Sequence, residues 1–297
     1  MKKLLMAAAL VCLTAAAARS AELRVGAATR TYLMHVPDRP APEGGYPVVL
    51  AFHGGGGDAA RMVELMKLDP LADALGFITI YPNGLDRHWN DGRATIENKS
   101  DDVGFVSALL DEVERRYPVN PRRVFAVGLS NGAVFAERLG CELSGRIAAI
   151  AAVSGTLAAD LAASCHPVRP VSVLQVAGTE DPIMPYQGGT VGKILGRGEG
   201  GTVLSAPGTT DLWARLDGCA PSSPPVGLPP RAPPDGTSVA RQSYGQCQES
   251  AVVSLLTIQG GGHAWPGGPQ FMPRLLGRAS DQLDTSRAVV DFFLSGI

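Results

Sequence analysis

The chain has 297 residues, 45% of them hydrophobic and 18% charged, with a formal net charge of −2. That balance excludes a disordered chain, a multi-span membrane protein and a basic nucleic-acid-binding surface. The length suits one large α/β domain or two small ones. Thirty-six glycines and 23 prolines point to shaped loops between short elements rather than to a helical bundle.

In chain order, Met1-Lys2-Lys3 is a short positive start. Residues 4–18 are then an uncharged apolar run, with small residues at Ala16, Ala18 and Ser20 around its end. This is the layout of a secretory signal peptide, predicted over residues 1–20 with the catalytic domain over 21–297. The run is shorter than the roughly 20 apolar residues that a spanning helix needs. Removal of Lys2, Lys3 and Arg19 moves the net charge from −2 to −5. The expected location is therefore secreted or periplasmic.

Residues 22–36 alternate polar and apolar, as a half-buried strand pair does. Residues 46–52 and 76–81 are short apolar runs, the first ending in His53 and four glycines. Asp101 is placed to cap a helix whose apolar positions (Val103, Val106, Leu109, Leu110, Val113) recur at helical spacing until Pro118 stops it. Residues 124–127 form a strand entering Gly128, and 131–139 read as a helix. Three more buried-type strands are expected at 147–153, 171–176 and 252–258, and a closing helix at 281–294. Continuous apolar strands alternating with helices indicate a mostly parallel sheet covered on both faces. The Gly-rich 188–201 and Pro-rich 220–236 segments read as surface loops inside the same domain.

In an exported protein Cys141, Cys165, Cys219 and Cys247 are expected to pair. Four cysteines allow three connectivities, and pairing of sequence neighbours, Cys141–Cys165 and Cys219–Cys247, is the expectation. No CxxC spacing suggests zinc. Gly192-Lys193-Ile194 fails as a phosphate-binding loop, because Gln187 stands where its first glycine would be. No metal and no organic cofactor are implied.

Active sites in such sheets lie at the carboxyl ends of the strands. Gly128-Leu129-Ser130-Asn131-Gly132 is a GxSxG motif between a strand and a helix, the context of a nucleophile elbow. A serine hydroxyl needs a base, and the base needs an orienting carboxylate. Of the five histidines, only His166 and His263 follow the serine. His263 follows the last apolar strand at the required sheet edge, whereas His166 precedes a strand. Between serine and histidine, Glu180 and Asp181 follow the 171–176 strand, and Asp181, fixed by Pro182, is preferred. His53 to Gly57 occupies the position of an oxyanion loop, so backbone N–H groups of Gly54 or Gly55 are expected to join that of Asn131.

These motifs, together with Trp89-Asn90-Asp91-Gly92, Asp101 to Phe105, Gly178-Thr179-Glu180-Asp181 with Pro185-Tyr186, and Gly262 to Gly267, resemble the secreted polyhydroxybutyrate depolymerase/feruloyl esterase family. That group is similar to carbohydrate esterase family one, with an α/β-hydrolase fold. The likeness spans roughly residues 24–295. It implies a Ser130, Asp181, His263 triad and a cleft lined by Trp265 and Trp89. Ala177 departs from the pattern, since the family often has a histidine there. The expected activity is hydrolysis of carboxylic esters (hydroxybutyrate oligomers or polyester, feruloyl or acetyl esters) through an acyl-enzyme. The rival readings are an acyltransferase with the same triad and a non-catalytic exported binding protein. The expected partner is the ester itself, with neither nucleic acid nor, after signal cleavage, membrane.

Overall fold

In the computed structural model, residues 18–295 are described. The predicted export signal lies outside them except for its last three positions, and the first strand already begins at Arg19. β1 (Arg19–Val25) and β2 (Ala28–His35) form an antiparallel hairpin, Arg19 opposite Met34. β3 (Tyr46–Phe52) leads into α1 (Ala59–Met66), α2 (Leu68–Leu75) and β4 (Ile78–Pro82). α3 (Asp102–Arg116), β5 (Val119–Leu129), α4 (Asn131–Glu142), β6 (Ala149–Val153), α5 (Ala159–Ala162) and β7 (Ser172–Gly178) follow. The remainder is β8 (Gly189–Thr190), β9 (Thr202–Val203), α6 (Ala206–Leu216), β10 (Val226–Gly227), β11 (Ser238–Tyr244), β12 (Val253–Gln259), α7 (Pro273–Leu276) and α8 (Thr285–Leu294).

Ten strands form one sheet in the order β1-β2-β4-β3-β5-β6-β7-β12-β11-β10, and β8 pairs with β9 apart from it. From β4 to β12 neighbours run parallel, with antiparallel strands added at both edges. The continuous apolar strands are explained by burial on two faces. Along β3, Val48, Leu50 and Phe52 join one core while Val49 and Ala51 join the other. Leu109 and Leu110 of α3, Phe135 of α4 and Trp213 of α6 cover the first face. Met62 and Met66 of α1 and Phe293 of α8 cover the second. Full burial of each such side chain is worth ~2 kcal/mol.

Helix boundaries follow their caps. Asp101 accepts from the Gly104 N–H and starts α3, as its position suggested. The closing helix begins at Thr285 rather than at 281, because Asp284 supplies the cap by accepting from the Arg287 N–H. Between β3 and β4, where no helix was anticipated, Asp58 caps α1. α6 and β11 also emerge from sequence that carried no clear period. Cys141–Cys165 and Cys219–Cys247 are disulfides. The first joins the end of α4 to the approach to β7, and the second ties the end of α6 to the turn after β11. Among the described residues, no helix is long and apolar enough to cross a membrane.

Candidate active site

β5 ends at Leu129 and α4 starts at Asn131, which leaves Ser130 alone in the turn with φ 57° and ψ −123°. A non-glycine residue rarely adopts this conformation, and the surrounding packing must hold it. Two glycines make the turn possible. A Cβ on Gly132 would stand 2.4 Å from the Phe52 carbonyl oxygen, and one on Gly128 2.0 Å from that of Gly132. β3, β5 and α4 therefore approach backbone to backbone, and the serine is pushed out at the carboxyl edge of the sheet.

The other side chains come from later crossovers. Asp181 lies in the turn after β7, and its Oδ1 accepts from the N–H groups of Ile183 and Met184, both at 2.8 Å. Its Oδ2 accepts from His263 Nδ1 at 2.8 Å, and Ser130 Oγ donates to His263 Nε2 at 2.9 Å. His263 follows β12, its own N–H donating to the Leu276 carbonyl at 2.6 Å. Asp181 and His263 are buried while Ser130 stays half-exposed. Of the two candidate acids only Asp181 reaches the imidazole; Glu180 points to solvent. His166 is exposed beside the Cys141–Cys165 bridge.

The His53–Gly57 loop runs alongside the serine. A Cβ on Gly54 would lie 3.3 Å from Ser130 Cβ, and one on Gly55 2.8 Å from His88 Nε2. His53 anchors the loop: its Nδ1–H donates to the Gly54 carbonyl at 2.8 Å, and its Nε2 accepts from the Gly84 N–H at 3.0 Å. Burial pushes the His53 pKa down, so the ring stays neutral and keeps that acceptor. As the first residue of α4, Asn131 has a backbone N–H without an intrahelical acceptor.

The two tryptophans have different fates. Trp265 lines the cleft, its indole N–H donating to Ser286 Oγ at 3.2 Å. Trp89, expected to line it too, is instead fully buried. It stacks on Phe135 with ring centroids 5.1 Å apart and donates its indole N–H to the His53 carbonyl. The correction has a physical cause: an aromatic with a satisfied N–H and rings on both sides belongs to the core that supports the loop, not to the cleft wall.

Several site residues had no role assigned from the sequence. Ser154, at φ 49° after β6, donates to the Ala264 carbonyl at 2.8 Å and holds the histidine loop. Asp91 and Arg93 form a buried ion pair beneath Asn131. The cleft above Ser130 encloses about 1160 Å³. Met62, Leu65, Phe271, Ile183, Val191 and Leu195 are among its lining residues. No group of three or more His, Cys, Asp or Glu placed to hold a metal occurs among the described residues.

A mainly parallel sheet covered on both faces, with the elbow, acid and histidine turns at its carboxyl edge, defines the α/β-hydrolase class. Among solved structures the fold is similar to an acetyl xylan esterase from Aspergillus awamori, with a TM-score of 0.54 and 15% identity over 79% of this chain and 89% of that one. A thermostable esterase matches with a TM-score of 0.51 and 15% identity over 67% of this chain and 52% of that one. The sequence profile of the phospholipase/carboxylesterase family matches residues 83–194. The chain is 32% identical over 284 residues to "Putative esterase NocK" of Nocardia uniformis subsp. tsuyamanensis, covering 93% of this chain and 82% of that protein. It is 26% identical to feruloyl esterase C of Emericella nidulans over 78% of this chain and 76% of that enzyme. It is 29% identical to feruloyl esterase B of Piromyces equi over 73% of this chain, but spans only 39% of that enzyme. The chain belongs to the same esterase family as the Nocardia protein, and it is a carboxylic ester hydrolase with the α/β-hydrolase fold.

Proposed function

We propose that this esterase works by nucleophilic catalysis from Ser130, with His263 as base and Asp181 as its orienting carboxylate. The observation that carries the reading is the unbroken hydrogen-bond chain from Ser130 Oγ through the imidazole to Asp181 Oδ2, with links of 2.9 and 2.8 Å, on the floor of an open cleft. Nε2 takes the serine proton as Oγ attacks the ester carbonyl, and the same nitrogen then protonates the leaving alcohol. Water, activated by the same base, releases the acid from the acyl-enzyme. The negative oxygen formed at each tetrahedral stage is met by the N–H of Asn131 and by those of Gly54 or Gly55. Each such donor is worth ~3 kcal/mol of barrier.

The cleft exceeds what an acetyl group needs, and exposed Phe271 gives its lining an aromatic ring, with only an edge of buried Trp265 reaching it. Relatives named as feruloyl esterases support an acyl group of hydroxycinnamoyl size, ahead of acetyl or hydroxybutyrate oligomers. The two disulfides and the signal-like residues 1–20 support export to an oxidising compartment.

Ser130→Ala should abolish p-nitrophenyl acetate turnover and fluorophosphonate labelling while leaving the melting temperature near wild type. Turnover within tenfold of wild type would end the assignment. A rate panel of methyl ferulate, hydroxybutyrate oligomers and acetylated xylan should favour methyl ferulate in kcat/KM.

A further inference from the structure

We infer that the buried Asp91–Arg93 ion pair is a positioning device for the oxyanion side of the cleft, acting through the Asn131 side chain and fastening the 192–201 loop to the same point. The inference rests on the serine-esterase reading above.

The start of α4 has an unusual requirement. A helix is ordinarily secured by the side chain of its capping residue, which accepts from an N–H in the first turn. Here the capping position is Ser130, and its hydroxyl makes no such bond, because it is turned to His263. A nucleophile cannot also be a cap.

The Asn131 side chain does the anchoring instead. Its Oδ1 accepts from the Trp89 N–H at 2.9 Å, and its Nδ2 donates to the Trp89 carbonyl at 3.0 Å and to Asp91 Oδ2 at 2.7 Å. These three bonds fix the residue whose backbone N–H faces the reacting carbonyl. A donor of that kind is effective only where it is held before charge develops.

Asp91 is held in turn. Arg93 donates Nε to both of its oxygens at 3.1 Å and Nη2 to Oδ2 at 2.6 Å, with Asp91 0% and Arg93 4% exposed. A two-residue spacing gives a rigid, charged acceptor whose second partner is the asparagine amide. The remaining guanidinium nitrogen, Nη1, donates to the Gly200 carbonyl. Gly201 is pressed onto the same arginine: a Cβ there would lie 3.1 Å from Arg93 Cδ and 2.6 Å from Thr95 Oγ1. The loop fastened here carries Ile194 and Leu195, which line the cleft. One ion pair therefore sets both the oxyanion donor and a wall of the substrate pocket.

The test compares Asn131→Ala, Asp91→Ala, Asp91→Asn and the Asp91→Ala/Asn131→Ala double variant on p-nitrophenyl acetate. Asn131→Ala keeps its backbone N–H and leaves the ion pair intact. Its kcat should fall at least tenfold with KM within about twofold, and its fluorophosphonate labelling should slow in parallel. Asp91→Asn, which still offers Asn131 an acceptor, should retain more kcat than Asp91→Ala. The double variant should be no slower than the worse single one, as for residues acting as a unit. A kcat for Asn131→Ala within twofold of wild type, or losses that multiply in the double variant, would overturn the inference. If Asp91→Ala does not fold, Asn131→Ala decides alone. Failure of the wild type to label at Ser130 would instead sink the serine reading, so the two failures are distinct.

Discussion

Glu137 offers the sharpest physical test of the packing behind Ser130. It lies on α4, fully buried, accepting from the Trp213 indole N–H at 2.5 Å through Oε2. Its Oε1 meets no hydrogen-bond partner among the described residues. Burial pushes its pKa up from 4.5 to about 8, and the tryptophan bond opposes that shift without outweighing it. The folded protein therefore keeps a proton at pH 7 that the unfolded chain has lost. A rise of this size corresponds to about 5 kcal/mol at ~1.4 kcal/mol per pH unit. Its sign follows from linkage: the folded state binds the extra proton, so stability falls as pH rises from about 4.5 to about 8 and then levels off. Glu137→Gln removes the titration and keeps the acceptor for Trp213, at a cost of ~1–2 kcal/mol for an unpartnered amide N–H. Net stabilisation of a few kcal/mol at pH 8.5, or roughly 5–10 °C in melting temperature, should shrink to nothing near pH 5. Thermal unfolding of both proteins across pH 5–9 measures it. A melting difference that does not grow with pH would refute the reasoning, since it would mean that Glu137 is already ionised in the fold.

Asp181→Asn keeps an oxygen for the Ile183 and Met184 N–H groups but no longer fixes the His263 tautomer. The kcat for p-nitrophenyl acetate should drop by ~10⁴ with little change in melting temperature, and a loss under tenfold would remove Asp181 from the proposed triad. Reduction of Cys141–Cys165 and Cys219–Cys247, whose partners are 24 and 28 residues apart, should destabilise by about 3 kcal/mol per bridge. A melting temperature unmoved by dithiothreitol, with four thiols then titrating, would contradict that.

Much of the architecture was legible because two-sided burial leaves a local mark. β3, β6, β7 and β12 are rich in apolar residues and buried throughout or nearly so, since alternate residues enter opposite cores. The caps at Asp101 and the GxSxG turn are equally local. α1 and α6 left a weaker mark: each begins beside glycine- or proline-containing loops and mixes polar positions into its buried face. β11 is harder still. Ser238–Tyr244 is largely polar, and its place is set by pairing with β12 rather than by its own pattern.

The site divides along the same line. Sequence order alone placed a serine in an elbow, an acid after one strand and a histidine after another, because chain order in this fold maps onto the sheet's carboxyl edge. It could not tell that Trp89 turns inward onto Phe135, since an aromatic reads the same in a core and in a cleft wall. Nor could it show that Ser154 grips the histidine loop, or that Asp91, held by Arg93, meets Asn131 across 40 residues. What the chain fixes by itself is the type and order of its elements, because those depend on neighbours a few residues apart. Which polar groups meet in the dry space between the elements is a matter of three-dimensional packing, where separation along the chain no longer measures distance.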